Sequence, residues 1–529
     1  MENKSSPFQN VNALNKIRIT HVFDKYFWIG PLLLSILIYL ITTRYGIGLS
    51  PDSIAYLGSA WNLNNGSGFS LPYGLPPNQP LTQFPPLLPV ILVLISKTGI
   101  PLILAAKLLN LLLVISFVIL ANLTLQEIDN RNPFFRLSVL SLVSVFAVVQ
   151  FIFNMLWSEP LMIVLGFAAF LVFFNSQKYN NFYHLVLSGI LFGLTVSARY
   201  AGVTFLATAM LIVFFIPSNN WKKKIYSWIA LSAPTAIFLY FWMTRETGNA
   251  ISSTGRVISF HPFNISHIHQ ILSTVGQWFL VPNSAHTVFK LVATLLFVGF
   301  VLLSSWFVFF SRRLKDRFIE KILIIFVYIY CLFVFFSITF LDANIPLDTR
   351  ILSPVLFSVL LLVLIISKIQ NQNITSTNRI TYLISILITV FTVGILIINI
   401  PVLKNAFQNG IGFNSVTWKR YESIKYLNNL PQDHFLISNA PEPVFYYTNN
   451  VVFSFPKQYL TMQQEQNANY ESEINQLISN YLKEKTYFIF FHKIKGGSES
   501  DIASFQKTFN LMPEKVFEEA SIFLYIPRK

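Results

Sequence analysis

Charge is what this chain of 529 residues has least of. Only 12% of its residues are Asp, Glu, Lys or Arg, about half the roughly 25% usual in soluble domains, which excludes an ordinary water-soluble enzyme. Cysteine is almost missing as well. Cys331 stands alone inside an apolar run, which excludes a disulfide framework, a thiolate metal cage and a redox pair. There is no internal repeat and no low-complexity tract. Acidic residues are scarcer than basic ones, 23 against 38 for a net charge of +15. Residues 1–401 hold 25 basic and 11 acidic residues, a net of +14, whereas residues 402–529 hold 13 and 12, a net of +1. The surplus belongs to the apolar part, where basic residues set membrane orientation, so nucleic acid is not an expected partner.

What the chain has in abundance is long apolar runs. Hydrophobic residues make up 53% and aromatics 16%, with a mean hydropathy of +0.55. A helix needs roughly 17–25 apolar residues to cross the hydrocarbon layer. Spans are expected at about 27–45, 101–122, 137–156, 160–175, 225–243, 286–310, 322–341, 350–367 and 380–401. The run 184–217 would be about 51 Å long as one helix, and SARYAG (197–202) interrupts it with a charge and a glycine. It therefore reads as two short helices meeting at Arg199. PPLLPVILVLISKT (85–98) is too short to cross and reads as a re-entrant or interfacial helix. The polar, basic residues 1–25 carry no cleavage pattern after an apolar core and read as cytoplasmic.

Eleven crossings follow, with the N-terminus inside and the C-terminus outside. Expected inner segments then carry 17 Lys+Arg, including Lys222, Lys223, Lys224 and the cluster Arg312, Arg313, Lys315, Arg317 and Lys321. Outer segments before residue 402 carry six: Arg44, Lys97, Arg199, Arg245, Arg256 and Arg350. The positive-inside tendency favours this count over its neighbours. The last 128 residues, 402–529, alternate strand-like runs (434–438, 487–492, 521–526) with helix-like ones (416–429, 470–484). That alternation predicts a small extracytoplasmic α/β domain after a transmembrane domain at 1–401.

Charged residues in or beside spans are costly and point to function. On the outer side these are Asp52, Glu159, Arg199, Arg245, Glu246, Asp342, Asp348 and Arg350. Each also fits a plainer role as a headgroup anchor; their shared side is what makes a converging site possible. Asp52 opens the first outer loop (46–100), where either it or Ser50 could cap a helix over 53–63.

That loop reads SPDSIAYLGSAWNLNNGSGFS (50–70) followed by PLTQFPPLLP (80–89). An acidic residue after the first span, a YLxxAxNLxxGxGF pattern and a PLTxxPPLxP pattern resemble the bacterial type-C (GT-C) glycosyltransferases, among them relatives of protein O-mannosyltransferases and aminoarabinose transferases. WSEP (157–160), SARYAG (197–202), DTRILSP (348–354) and ISNAPEPVFYYTN (437–449) are similar to further passages of that family, in the same order. The resemblance implies an inverting transfer of a sugar from a polyprenyl-phosphate carrier to a lipid, glycan or protein acceptor at the outer face of a bacterial inner membrane. It implies that Asp52 acts as general base or metal ligand and that Glu159 orients the site. It also implies that Arg199, Arg350 and Asp348 form the phosphate-binding side. Many members carry two adjacent acidic residues where this chain has Asp52 between Pro51 and Ser53, so a divalent metal and a metal-independent mechanism both stay open.

His261, His267 and His269 lie in the loop 244–285. Beside an outer carboxylate such a cluster could hold a metal, with Asp52 and His261 as its ligands; His267 and His269 would point apart on a helix, and the plainer reading of all three is as interfacial polar residues. Trp157, Tyr200 and Trp278 read as interfacial aromatics. A transporter or flippase would be expected to show internal symmetry and midplane charge. A lipid-linked polysaccharide polymerase or ligase shares the outer site but not the acidic first loop with a trailing domain. A receptor or scaffold leaves that loop unexplained.

Overall fold

The computed structural model describes residues 26–129, 132–215, 221–245, 258–311, 317–366, 377–430, 434–460, 464–482, 485–494 and 496–527. The N-terminal segment 1–25 and the basic residues Arg312, Arg313 and Lys315 lie outside the described residues. Each segment expected to cross forms a helix. They are α1 (Ile29–Thr42), α4 (Leu102–Ile128), α5 (Pro133–Val149), α6 (Ser158–Lys178), α7 (Phe182–Ala198), α8 (Val203–Phe215), α9 (Trp221–Thr244), α11 (Thr287–Phe310), α12 (Phe318–Phe340), α13 (Thr349–Leu362) and α14 (Thr377–Asn409). Between them lie α2 (Pro51–Asn64), α3 (Leu87–Ser96) and α10 (Ile265–Trp278). Among the described residues, six helices are long and apolar enough to cross by themselves: α4, α6, α9, α11, α12 and α14. The other five are shorter, from 13 residues in α8 to 17 in α5 and α7.

Burial separates the helices into two kinds. α5 and α6 are enclosed by neighbours, and rings of adjacent helices fill the centre: Phe117 lies 4.7 Å from Phe357, and Phe205 lies 4.2 Å from Phe326. α11 and α14 instead expose apolar side chains such as Leu295, Leu302, Trp306, Val390 and Ile397. A helix apolar on its exposed face needs lipid rather than water as its surroundings. The protein is a polytopic helical membrane protein. α3, at 10 residues, is about 15 Å long and does not cross. The expected break at Arg199 is present: α7 ends at Ala198, Tyr200–Gly202 makes one 3-10 turn, and α8 begins at Val203.

Beyond the bundle, α15 (Val416–Arg420), α16 (Glu422–Asn428), α17 (Pro441–Thr448), α18 (Tyr470–Gln476) and α19 (Glu499–Phe509) pack with strands β2 (Phe435–Ser438), β3 (Val452–Ser454), β6 (Thr486–Phe491), β7 (Leu511–Val516) and β8 (Ala520–Tyr525). β4 (Tyr459–Leu460) and β5 (Glu465–Gln466) form a separate hairpin. The main sheet has the order β1-β3-β2-β6-β8-β7, and its first edge, β1 (Tyr73–Gly74), comes from the loop after α1. β1, β3, β2 and β6 are parallel, whereas β8 and β7 are antiparallel.

The pairing of β1 with β3 means that the loop after α1 and the C-terminal sheet lie at the same end of the bundle. An even number of crossings must therefore separate them, which matches the ten expected spans from α4 to α14, α10 excepted. A second tie lies at the start of that loop. Gly48 N–H donates to Asn154 C=O (2.9 Å) and Gly48 C=O accepts from Leu156 N–H (3.0 Å), while Leu49 C=O accepts from Phe413 N–H (2.8 Å). Residues 47–49 are thus braced between the α5–α6 loop and the segment leaving α14. Gly412, at φ +62°, lies so close that a Cβ would stand 1.9 Å from Leu49 C=O. α14 itself continues through Pro401 to Asn409, so the helix overruns residue 401, where the transmembrane domain was expected to end.

Candidate active site

The brace fixes where two acidic residues emerge. α2 begins directly after it. Ser50 Oγ accepts from Ser53 N–H (3.4 Å), while Ser53 Oγ accepts from Ser50 N–H (3.0 Å). This capping box makes Ser50 the cap and leaves the Asp52 carboxylate free for other partners. On the other side of the brace, Asn110 Nδ2 donates to Phe153 C=O (2.9 Å) and Met155 C=O (2.7 Å), and Asn154 Nδ2 donates to Thr42 Oγ1 (2.7 Å). These bonds hold the loop that delivers Glu159 into the first turn of α6.

Four charged side chains meet there. Arg350 reaches Asp52 Oδ2 through Nη2 at 2.5 Å and donates from Nε to Glu159 Oε1. Arg199 Nη1 lies 3.1 Å from the same Glu159 oxygen and 3.1 Å from Ser158 Oγ. Glu159 is fully buried, and its Oε2 has no hydrogen-bond partner among the described residues. The helix ends explain part of this pattern. Asp52 and Glu159 stand in first turns and Arg199 follows the last turn of α7, each the favourable sign for its terminus. Arg350 is a cation in the first turn of α13, against the dipole, and two carboxylates compensate it. Its guanidinium also lies 4.6 Å from the Trp157 ring centroid, a cation–π contact.

Neutral groups complete the cluster. Tyr56 OH donates to Ser158 Oγ (2.8 Å), Trp157 Nε1 donates to Ser50 Oγ (2.9 Å), and Tyr330 OH donates to Ile351 C=O (2.7 Å). Burial keeps the Tyr56 phenol well above its ordinary pKa, so it stays a proton donor. A cavity of about 220 Å³ opens beside the charges, its wall including Asp52, Arg199, Arg350, Tyr330, Phe84 and Ile345.

Of the residues singled out in the sequence, Asp52, Glu159, Arg199 and Arg350 come together. Asp342 is buried on the wall of the same cavity. Asp348 stands just before Arg350 and caps α13, Oδ1 accepting from Ile351 N–H at 3.0 Å. Arg245 lies over the Trp242 ring and donates from Nη2 to Leu81 C=O (2.6 Å), fastening the loop after α1. Glu246 and Arg256 lie outside the described residues.

The histidines are occupied elsewhere. His261 Nε2 lies 2.7 Å from Ser259 Oγ and its N–H donates to Thr339 C=O (2.7 Å); it is not among the residues lining the cavity. His267 Nδ1 accepts from Asn264 N–H (3.1 Å), half of the box that caps α10, and His269 is exposed. Among the described residues, no three His, Cys, Asp or Glu side chains gather as metal ligands. The oxygens of Asp52 and Glu159 that face the cluster are taken by guanidiniums, whose charge repels a dication. Among the described residues, the donors at this cluster do not fit a metal centre.

Sequence reasoning missed Ser158, Tyr56 and Tyr330. The last carried a signal, since a phenol within an apolar span needs a partner. Trp157, Tyr200 and Trp278 are less peripheral than expected. Trp157 backs Arg350, Tyr200 OH accepts from Trp242 Nε1 (2.9 Å), and Trp278 Nε1 donates to Thr349 Oγ1 (3.1 Å).

No protein-family model matches the sequence, and no curated protein sequence matches it. Solved structures do. ArnT from Cupriavidus metallidurans, bound to undecaprenyl phosphate, superposes with a TM-score of 0.57 over 94% of this chain and 98% of that one, at 11% identity. The fold is that of the type-C membrane glycosyltransferases. The oligosaccharyltransferase of Archaeoglobus fulgidus gives a TM-score of 0.56 at 11% identity, covering 91% of this chain and 71% of that one. At such identities the likeness concerns the fold, and the chemistry has to be argued from this chain's own residues.

Proposed function

We propose that the chain is a glycosyltransferase that moves a sugar from a polyprenyl-phosphate donor to an acceptor hydroxyl, with inversion at the anomeric carbon. The observation that carries this reading is the meeting of Arg199 and Arg350 with Asp52 at one mouth of an apolar bundle. Arginines suit a phosphate that must leave with its lipid. A carboxylate beside them suits the removal of the acceptor's proton. ArnT, bound to undecaprenyl phosphate in its own structure, supports a carrier of that class.

The ion pairs supply an order of events. Two guanidiniums and two carboxylates balance before the donor arrives. A phosphate that binds Arg350 takes over the guanidinium's Asp52-facing edge, and the freed Asp52 carboxylate becomes a base. Asp52 then accepts the acceptor's O–H proton as its oxygen attacks the anomeric carbon. The C–O bond to phosphate breaks, its electron pair staying on the phosphate, where Arg350 and Arg199 neutralise it. Glu159 holds both guanidiniums in place throughout, and Tyr56 and Ser158 hold Arg199 from behind. No metal has a part in this scheme.

The clustering of charge at one end, with no comparable cluster midway along the helices among the described residues, supports a transferase over a transporter. The charge bias of the loops supports an outer position for this end, in a bacterial inner membrane. The test is transfer of a labelled sugar from undecaprenyl-phosphate donors to membrane acceptors by the reconstituted chain. Asp52→Asn should reduce transfer by at least a hundredfold while leaving the protein folded. A variant as active as the parent would remove Asp52 from the reaction.

A further inference from the structure

The cavity is longer than its charge cluster. Tyr330, Phe333, Val334 and Ser337 of α12 all line it, a spacing that puts them on one stripe of the helix. Tyr330 marks the arginine end, and Ser337 stands seven residues further on, about 10 Å along the axis. The far end has a polar set of its own in Ser337, Asp342 and Asn344.

Two features there keep bonding capacity that the fold does not use. Ser337 is 3% exposed, and its Oγ has no hydrogen-bond partner among the described residues. Most serines in these helices behave otherwise. Ser35, Ser227, Ser305, Ser358 and Ser385 each donate to the carbonyl four residues back, at 2.8–2.9 Å. A buried hydroxyl left without a partner is costly, by about 1–3 kcal/mol, unless something else fills the space. Asp342 is 8% exposed. One of its oxygens accepts from Asn344 N–H at 2.9 Å, and it forms no ion pair among the described residues, unlike Asp52 and Glu159. A carboxylate has about four lone-pair sites, so most of its accepting capacity faces the cavity.

We propose that this far end is the subsite for the donor's glycosyl ring, and that Ser337 and Asp342 select the sugar by bonding its hydroxyl or amino groups. The inference rests on the reading above that the donor phosphate binds at Arg199 and Arg350. From there the attached ring has room along the cavity, past Tyr330 toward Ser337. A carboxylate oxygen accepts hydrogen bonds, so Asp342 suits O–H or N–H groups on the sugar. It repels a carboxylate in the same place. The class favoured is a neutral or amino sugar, and the class rejected is a uronic acid.

The test uses the full chain in lipid nanodiscs with undecaprenyl phosphate alone and with undecaprenyl phosphate carrying glucose, mannose, galactose, 4-amino-arabinose or glucuronic acid. Wild-type protein should bind at least one neutral or amino-sugar lipid about tenfold more tightly than the bare carrier, and the glucuronic acid form no better than the carrier. Asp342→Asn should erase most of that increment, and Ser337→Ala, which removes one oxygen only, should reduce it about threefold or more. Both should leave affinity for undecaprenyl phosphate within about twofold. Equal losses for bare and sugar-bearing lipid in both variants would assign the two residues to folding and overturn the proposal. So would an increment that neither substitution changes, or a wild type that binds every sugar lipid no better than the carrier. In those cases the phosphate reading would stand. Wild-type protein that binds neither the carrier nor any sugar lipid would overturn both.

Discussion

Arg350 is where the candidate site is most exposed to a single change. Its guanidinium joins Asp52 to Glu159 and rests on Trp157, three contacts that need a planar, forked cation. Arg350→Ala should raise the donor KM, with kcat/KM falling about tenfold to a hundredfold, the effect of one or two charge-assisted hydrogen bonds. Arg350→Lys should recover little of this, since an ammonium cannot face both carboxylates and stack. Steady-state kinetics against donor concentration decide it, and an unchanged donor KM would make Arg350 a helix anchor. Glu159 is the opposite case, a fully buried anion between two cations. Glu159→Gln should leave those cations facing each other and cost about 3–5 kcal/mol, read as a lower unfolding temperature in detergent. A variant as stable as the parent would show that water or lipid headgroups compensate the arginines.

At the scale of elements, the helix that delivers Arg350 depends on its cap. Asp348 accepts from Ile351 N–H (3.0 Å), and Thr274 Oγ1 donates to Leu347 C=O (2.7 Å) just before it. Asp348→Asn keeps an acceptor at the cap and should be nearly neutral, whereas Asp348→Ala should cost about 1 kcal/mol. Thermal unfolding of the two variants separates the cap from a role in chemistry. If Asn and Ala were equally inactive yet stable, Asp348 would belong to the phosphate-binding side. The elements that the sequence hid have physical reasons for being hidden. β7 reads LMPEKV, with a proline and two charges, and a strand of that kind survives only at an edge with a bulge, which is where it lies. β1 has two residues, too few for any periodicity, and exists because β3 offers it a partner.

For the whole molecule, the joint between the loop after α1 and the C-terminal sheet is decisive. β1 pairs with β3, Phe445 of α17 packs against Trp61 (5.7 Å) and Tyr73 (6.1 Å), and a Cβ on Gly58 would meet Pro72 at 2.8 Å. Gly58→Leu should therefore push α17 off α2 and reduce activity without unfolding either part. New proteolytic cleavage between residues 410 and 434 would report it, and a resistant, fully active variant would show that the joint is dispensable.

The same joint holds Glu442, whose carboxyl is raised above its ordinary value chiefly by burial, with Lys457 pulling it down and Asp52 pushing it up. A raised acid binds its proton more tightly folded than unfolded, so its contribution to stability is full below the ordinary carboxylate pKa and is lost as pH rises through the raised value. Stability should decline as pH rises from the ordinary carboxylate range through the raised value, by an amount that Glu442→Gln abolishes. A slope identical in the two proteins would place the titration elsewhere.

Apolar run length and loop charge are local quantities, and from them the sequence determined by itself that the chain is a membrane protein. They also determined the helix at each expected span, the break at Arg199, the short helix α3 and the trailing α/β segment. Order and side likewise brought forward Asp52, Glu159, Arg199 and Arg350, because a charge at a span end is conspicuous in an apolar chain. Tertiary structure alone decided which charge meets which. Ser50 takes the cap and frees Asp52, Glu159 serves two arginines, and His267 caps a helix. Such choices depend on distances between residues up to 298 positions apart in the chain, as for Asp52 and Arg350. No local pattern encodes those distances; the packing of the helices sets them.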